Sequence, residues 1–426
     1  MKTLIGLLLI FTSAACASAG RAPEPPSGSP HLLIFAGDRD EADEDFFTVV
    51  DVRPGSATLG RALSTLPVGF KASMPHHMEY AMPGAGELLF ANAHHHEATL
   101  LVDASDPLRL RLVRRLAPPP PLRFGHDFVR LANGNILAGF LRSDGPSPAP
   151  GETIVPGGHG GLAEYTSAGA LIRQASAAIP GTDPVRVYAM VPMLGIDRIV
   201  TTSAPMDEDY SADVVQVWRY SDLALLHTIR VPPGRNADGS PLPGAARYPF
   251  GPRLMPDGSI LMNAFGCGFY RLTDIASDRP KLDNVYTIDA PEARQPGRVR
   301  GACSIPSIVG RHWIMPVGRA NTVVVLDVSN PAAPREVSRL DTPADFHPHW
   351  SAKDPLSNRI VIGAELGGEQ GLYVLRLDGA TGRLAFDPTI VSQDGRIGYI
   401  DLERQSWPHG NSGPAWGHAA LFLPPR

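Results

Sequence analysis

Gly and Pro together account for 86 of the 426 residues, about a fifth, against roughly 12% in an average protein, which excludes a coiled coil or another long-helix protein. The chain is 43% hydrophobic and 19% charged with a net charge of −5, a composition that can bury a core and that excludes disorder throughout. A pI near 6.3 provides no basic surface, so we predict no nucleic-acid partner and expect an all-β chain with many tight turns.

The first 19 residues have the pattern of a secretory signal peptide. Lys2 precedes an apolar run over residues 4–11, and small residues follow through Ala19. The run is too short to cross a bilayer, so we expect no transmembrane span. We predict cleavage behind Ala19 and export to the periplasm or the exterior. A lipoprotein with lipid on Cys16 is the alternative.

Residues 20–29 (GRAPEPPSGS) are rich in Pro, Gly and Ser, and we predict a linker ahead of a single domain at residues 30–426. The domain contains two cysteines, Cys267 and Cys303. Export permits a disulfide between them, but two cysteines do not establish a pairing. A copper ligand or a free thiol therefore remains open.

A repeated pair of short strands organises the domain. Each unit has a turn, a short strand that ends in small residues, a gap, and a second strand that often ends in Asp. The seven pairs are HLLIFAG with FFTVVDV, ELLFANA with TLLVDAS, GNILAGF with GLAEYTSAG, DRIVTTS with VVQVWRYSD, GSILMNAF with CGFYRLTD, HWIMPVG with TVVVLDVSNP, and NRIVIGA with GLYVLRLDG. From His31 to Asn358 the units span 327 residues over six intervals, which is 54 to 55 residues per repeat.

Units two to seven each have a further apolar stretch before the turn, which we predict to be the innermost strand of a blade. These stretches are HHMEYAM, HDFVRLA, VRVYAMVP, FGPRLMP, CSIPSIV and HWSA. Unit one has no such stretch on its N-terminal side, and the C-terminal WGHAALFLP can supply it. Seven four-stranded units at this period predict a seven-bladed β-propeller closed by the C-terminal strand. A β-helix or two sandwiches would not require a terminal segment to complete the first unit.

Six of the 14 histidines stand at the start of predicted innermost strands. They are His76 and His77 in unit two, His126 in unit three, His347 and His349 in unit seven, and His418 in the closing strand. These units are neighbours around the ring, so we expect the six imidazoles at one end of the channel, in one sector. An imidazole shell suits copper, with zinc or another transition metal as the alternative.

The surroundings of these histidines suggest how their rings are held. Glu79, Asp127 and Asp345 stand beside them in sequence, and we predict that they orient ring N–H groups. For a single histidine, a water-bonded residue lining the channel is the more common role. The shared placement of the whole set favours a metal site. We expect a solvated turn for residues 94–96.

Several short segments carry a resemblance. They are Pro75-His76-His77, SDPLRLRLVRRL, GHDFVRLANGNIL, HGGLAEYTSAG, VQVWRYSDLALLHTI and WGHAALFLP. In order and spacing they resemble the selenium-binding protein family, whose bacterial members include copper-dependent methanethiol oxidases, over most of the mature chain. The resemblance implies a seven-bladed propeller with copper bound by His76, His77, His126 and His418. It also implies oxidation of a thiol with O₂ to formaldehyde, sulfide and hydrogen peroxide.

This chain departs from the family pattern at three points. The family has Ser-Gly-Trp after the His-His pair, where this chain has Met78-Glu79-Tyr80. The nearby Cys-x-x-Cys segment of the family is missing. At the start of unit seven the family has Pro-Gln, where this chain has Pro348-His349. The extra imidazole can raise the ligand count or change the metal, and the substrate need not be methanethiol.

The leading functional hypothesis is an exported copper-binding oxidoreductase that oxidises a small sulfur compound with O₂ at a histidine-bound metal at one end of the channel. A propeller that binds a metal or a partner without catalysis is one alternative. A metal-assisted, lactonase-like hydrolase is another, although such an enzyme would normally present Asp, Glu and Asn to Ca²⁺ on the inner strands, where this chain has His.

Overall fold

A computed structural model describes residues 28–143, 158–179, 184–206, 211–294, 302–365 and 368–425. The predicted signal peptide and residues 20–27 of the predicted linker lie outside these ranges. Within them, the chain forms seven antiparallel sheets arranged as a seven-bladed β-propeller, as predicted from the repeat. In the described part of the chain, no helix has the length and apolar character needed to cross a membrane.

The first four blades follow one another along the chain. Blade one contains β1 (His31–Asp38), β2 (Phe46–Asp51) and β3 (Ala62–Pro67), and blade two contains β4 (Pro75–Met78), β5 (Leu89–Ala93), β6 (Ala98–Asp103) and β7 (Arg111–Leu116). Blade three contains β8 (Leu122–Arg130), β9 (Ile136–Ser143), β10 (Gly161–Tyr165) and β11 (Leu171–Ser176), and blade four contains β12 (Val187–Met193), β13 (Arg198–Ser203), β14 (Val214–Arg219) and β15 (Leu225–Arg230).

A short hairpin separates these blades from the last three. It consists of β16 (Gly234–Arg235) and β17 (Pro241–Leu242). Blade five contains β18 (Pro249–Leu254), β19 (Ile260–Ala264), β20 (Gly268–Thr273) and β21 (Lys281–Thr287), and blade six contains β22 (Ser307–Val309), β23 (His312–Val317), β24 (Thr322–Asp327) and β25 (Arg335–Asp341). Blade seven contains β26 (Pro348–Lys353), β27 (Arg359–Ala364), β28 (Leu372–Leu377), β29 (Leu384–Phe386) and β30 (Tyr399–Ile400). Short 3₁₀ helices cover His94–His96, Leu194–Ile196, Pro243–Ala246, Pro291–Arg294 and Gly318–Ala320.

The last strand, β31 (Ala415–Leu423), closes the ring by forming the innermost strand of blade one. It pairs antiparallel with β1, from His31 opposite Leu423 to Asp38 opposite Ala415. The predicted closure by the C-terminal segment is therefore confirmed. Because this strand lies between blades seven and two, its side chains meet those of both neighbours in the channel.

A buried ion pair adds a second link between the two ends of the chain. The N–H and the hydroxyl of Ser29 both donate to the Asp354 carboxylate of blade seven. Arg359 pairs with the same carboxylate and donates to the carbonyl of Val52 in blade one at 2.9 Å. The last residues of the predicted linker are thus packed against the domain.

The amino-acid pattern of each strand follows from its depth in the blade. Middle strands lie between two neighbouring blades and are buried on both faces, so they are continuous apolar runs, such as TVVVLD in β24. Outermost strands are largely exposed and carry charges, such as RLVRRL in β7. Charged side chains on such edges oppose pairing with other chains.

Cys267 and Cys303 form a disulfide, with their Cα atoms 5.2 Å apart. Cys267 lies in the turn between β19 and β20 of blade five, and Cys303 lies just before blade six. The sequence left this pairing open. The bond joins two adjacent blades, and both cysteines are fully buried.

Candidate metal centre

Six of the seven innermost strands, as the structure describes them, are interrupted by a β-bulge at the same level of the channel. The pairing register shifts between Pro75 and Met78, Gly125 and Asp127, Val187 and Met190, Pro249 and Pro252, Pro348 and Trp350, and, in β31, between Gly417 and Ala419. A bulge inserts an unpaired residue into a strand and redirects its side chain. In four of these six strands, the bulged segment contains one or two histidines.

We call these residues the bulge histidines: His76, His77, His126, His349 and His418. Each is at most 2% exposed. Their ring centroids follow one another around the channel. His77 lies 4.0 Å from His126 and 4.5 Å from His76, and His418 lies 4.2 Å from His76 and 4.6 Å from His349. Five of the six histidines singled out in the sequence therefore lie in one buried cluster.

Three of the bulge histidines form a compact set that could hold a metal ion. Each of these three residues, His76, His77 and His126, has a ring nitrogen within 4.8 Å of a ring nitrogen of the other two. Both ring nitrogens of His76 and of His77 are buried and have no hydrogen-bond partner among the described residues. Buried polar atoms are nearly always paired, so this arrangement is typical of ligands to a metal.

Backbone carbonyls fix the orientation of two other rings. Nδ1 of His126 donates to the carbonyl oxygen of Tyr188 at 2.8 Å, and Nδ1 of His418 donates to that of His76 at 2.9 Å. A carbonyl only accepts, so Nδ1 carries the proton and Nε2 carries a free lone pair. Both Nε2 atoms are buried and lack a partner within the described ranges. Metal-ligating histidines are usually held in this way.

His349 is held by side chains. Its Nδ1 lies 2.5 Å from Oε2 of Glu365 and 2.9 Å from Oγ of Ser304, and its Nε2 is buried without a partner in the described part of the chain. A carboxylate that accepts from Nδ1 selects the tautomer with a free Nε2 lone pair and makes the imidazole a stronger donor.

The environment keeps four of the bulge histidines neutral. Burial, and then the neighbouring imidazoles, hold the pKa values of His76, His77 and His126 well below the ordinary value. The same causes lower the pKa of His418 to about 3. The neutral imidazole is the form that binds metals.

Aromatic side chains from the bulges of blades four and five, and from the end of β19, lie next to the cluster. The Tyr188 ring lies 3.9 Å from the ring of His126 and 4.2 Å from that of Phe250, which in turn packs on Phe265 at 4.2 Å. We call Tyr188, Phe250 and Phe265 the aromatic wall. Tyr188 also lies 5.8 Å from the ring of His77, so the wall borders two of the bulge histidines with apolar surface.

The remaining residues predicted for the site lie elsewhere. His347 is only half-buried, and its Nδ1 lies 2.9 Å from Oδ1 of Asn321. Glu79 pairs with Arg130, at 2.8 Å between Oε1 and Nη2. Oδ2 of Asp127 accepts from the N–H of Met190, and burial raises the pKa of Asp127 to about 6. Asp345 is exposed.

Two residues near the cluster were missed by the sequence reasoning. Glu365 follows β27, whose end pairs with the start of β26, so the hairpin register could have placed it beside His349. His94 follows β5 in the same way. Its ring is buried at 5.9 Å from that of His76, whereas His95 and His96 are exposed as expected of a turn.

A cavity of about 230 Å³ lies beside the segments that precede His76 and His418, and no bulge histidine is among its lining residues. Its lining includes Met74 and Trp416, each two residues before a bulge histidine, together with Asp38, His95 and Gln370. This volume is sufficient for a small molecule.

No family model matches this sequence, and no curated protein matches it. Among solved structures, the fold is similar to that of a hypothetical selenium-binding protein from Sulfolobus tokodaii, at a TM-score of 0.68 and 13% identity over 95% of this chain and 97% of the other. It is also similar to a putative 6-phosphogluconolactonase from Bacteroides uniformis, at a TM-score of 0.58 and 13% identity over 88% and 98% of the two chains. A periplasmic gluconolactonase from Pseudomonas aeruginosa gives a TM-score of 0.56 at 14% identity over 83% and 94%. At these identities the similarity shows the propeller fold alone.

Proposed function

We propose that the chain is an exported copper-binding oxidoreductase, and that it oxidises a small sulfur compound with O₂ at the bulge histidines. One observation carries the proposal: buried imidazoles from four neighbouring blades converge with ring nitrogens that have no partner among the described residues. A shell made of imidazole nitrogens suits copper or zinc, and of these two only copper changes oxidation state.

Each part of the site has a task in this proposal. His76, His77, His126 and His418 would hold the metal, which when bound would accept electrons from the substrate sulfur and transfer them to O₂. The carbonyls of Tyr188 and His76 keep the Nε2 lone pairs of His126 and His418 available. The aromatic wall keeps water away from the imidazoles. The cavity beside Met74 and Trp416 admits the substrate and limits its size.

The disulfide supports the exported location. Disulfides persist in oxidising compartments and are rare in the cytosol. Cys267 and Cys303 are paired in the core between two blades. Together with the N-terminal signal pattern, this favours the periplasm or the exterior as the place of action.

Metal content and thiol-dependent O₂ uptake test the proposal. Wild-type protein produced with copper should contain copper and should form hydrogen peroxide from small thiols. The variants His76→Ala, His126→Ala and His418→Ala should lose copper and activity together. Unchanged copper in all three variants would refute the site.

Binding without catalysis is the second candidate, favoured by the depth of the cluster, since each bulge histidine is at most 2% exposed. If the protein binds copper but takes up no O₂ with any small thiol, the result supports binding without catalysis. A lactonase-like hydrolase is less well supported. The carboxylates nearest the histidines in sequence are already engaged within the protein. Glu79 accepts from Arg130, and Asp127 accepts from the N–H of Met190.

A further inference from the structure

The cluster contains more imidazole lone pairs than one four-coordinate metal ion can bind. Seven ring nitrogens are buried without a partner in the described part of the chain: both nitrogens of His76 and of His77, and Nε2 of His126, His349 and His418. A neutral imidazole has one N–H and one lone pair, so the five rings offer five lone pairs. A four-coordinate ion binds at most four of them.

The rings divide into two sets that meet at His76. On one side, His76, His77 and His126 form the compact ligand set described above. On the other side, His418 lies 4.6 Å from His349, whereas His77 lies 6.2 Å from His418. His76 lies between the two sets, at 4.5 Å from His77 and 4.2 Å from His418, and as a neutral ring it offers its lone pair to one ion only.

The second set has a negative charge of its own. The Glu365 carboxylate contacts Nδ1 of His349, and Ser304 contacts the same nitrogen. Ser304 is itself fixed, since its N–H donates to the carbonyl of Pro316 at 3.0 Å and its hydroxyl donates to that of Ala302 at 3.1 Å. A carboxylate held against the far side of an imidazole is the arrangement that tunes a metal ligand. It also offsets part of the charge of an added cation.

We infer that the channel holds two metal positions side by side. The first uses His76, His77 and His126. The second uses Nε2 of His349 and of His418, with His76 between the two ions and Glu365 as the positioning residue for His349. Both positions take imidazole-binding divalent ions such as Cu²⁺ or Zn²⁺. The inference rests on the metal binding of the proposed function; it adds a second ion and assigns His418 to that ion.

Metal stoichiometry tests the second position. The purified protein is stripped with a chelator, reloaded with Zn²⁺ or Cu²⁺ and desalted, and its metal is measured by mass spectrometry. Wild type should retain two equivalents, and His349→Gln should retain one. The matched control is His96→Gln, which removes an exposed imidazole outside the cluster and should retain two.

A spectroscopic readout distinguishes the two positions without any activity assay. Two adjacent Cu²⁺ ions couple magnetically, so wild type should show a weaker paramagnetic signal per copper than His349→Gln. Glu365→Gln keeps the His349 imidazole in place and is the variant to use if His349→Gln does not fold. Its affinity for the second metal equivalent should fall about 10- to 100-fold, and its affinity for the first should be unchanged.

Each result has a defined meaning. One equivalent in wild type would overturn the second position and leave the proposed function standing. No bound metal in wild type would overturn both. A folded His349→Gln protein that loses both equivalents would show that the positions are not separate, and the inference would fail.

Discussion

Nδ1 of His418 donates a 2.9 Å hydrogen bond to the backbone carbonyl oxygen of His76, 342 positions earlier in the chain. His418 lies on the strand that closes the propeller, and His76 lies on the innermost strand of the next blade. Closure of the ring and assembly of the bulge-histidine cluster are therefore one structural event. A chain with an open ring would lack one proposed metal ligand and the contact that orients it.

Replacing His418 should affect stability and metal binding together. His418→Ala leaves the carbonyl of His76 buried without its donor, at a cost of about 1–3 kcal/mol. Urea unfolding of the metal-free protein should show a loss of this size, and the folded variant should bind less metal. The control His227→Ala, on an outer strand, should change neither. Full metal content in folded His418→Ala would contradict this role.

Removing the disulfide should destabilise the fold. The cysteines are separated by 36 positions, and a cross-link over a loop of that length stabilises a protein by about 4 kcal/mol. Cys267→Ser/Cys303→Ser should lose roughly that amount in a urea titration. Reductant should destabilise wild type and leave the variant unchanged. Equal stability of the two proteins under oxidising conditions would show that the bond contributes nothing.

The stability of the metal-free protein should fall as the pH drops below about 6.5. His76, His77, His126 and His418 have lowered pKa values in the fold, so the unfolded chain takes up protons first as the solution is acidified. Each of these histidines lowers the unfolding free energy by up to about 1.4 kcal/mol per pH unit as the pH falls from 6.5 to its pKa in the folded state.

Urea titrations at pH 7, 6 and 5 check this dependence. The slope of unfolding free energy against pH should be shallower in His126→Leu, which has one titrating group fewer. A metal-free wild type that is as stable at pH 5 as at pH 7 would contradict the neutral, buried imidazoles.

Glu79 should stabilise the fold without contributing to metal binding. Its carboxylate pairs with Arg130 and accepts from the N–H of Phe90 at 3.0 Å. Glu79→Gln removes one of the two carboxylates that pair with Arg130, the other being Glu87 at 3.4 Å from Nη1, and should cost about 1–3 kcal/mol of unfolding free energy. Metal content per folded molecule should stay at the wild-type level. A loss of metal at unchanged stability would instead place Glu79 at the site.

The sequence was sufficient to predict the propeller because every blade repeats one pattern of strands. The apolar stretches before each turn identified the innermost strands, and the incomplete first unit pointed to the C-terminal segment. Outer strands such as β7 were harder to identify, since exposed, charged positions carry little periodic signal.

The site was predicted less completely because local backbone geometry decides which side chains meet. His347 and His349 are two residues apart and would share a face of a regular strand. In the structure the strand begins at Pro348 and bulges at His349, so only His349 joins the cluster. The contact of Glu365 depends on hairpin register, and the disulfide depends on how blades five and six meet.

The identity of the atoms around the bound metal tests the central claim most directly. X-ray absorption of copper-loaded protein should show a shell of nitrogen atoms with the multiple-scattering pattern of imidazole, reduced in His126→Ala. A shell made of oxygen alone, or one unchanged in His126→Ala, would contradict the account.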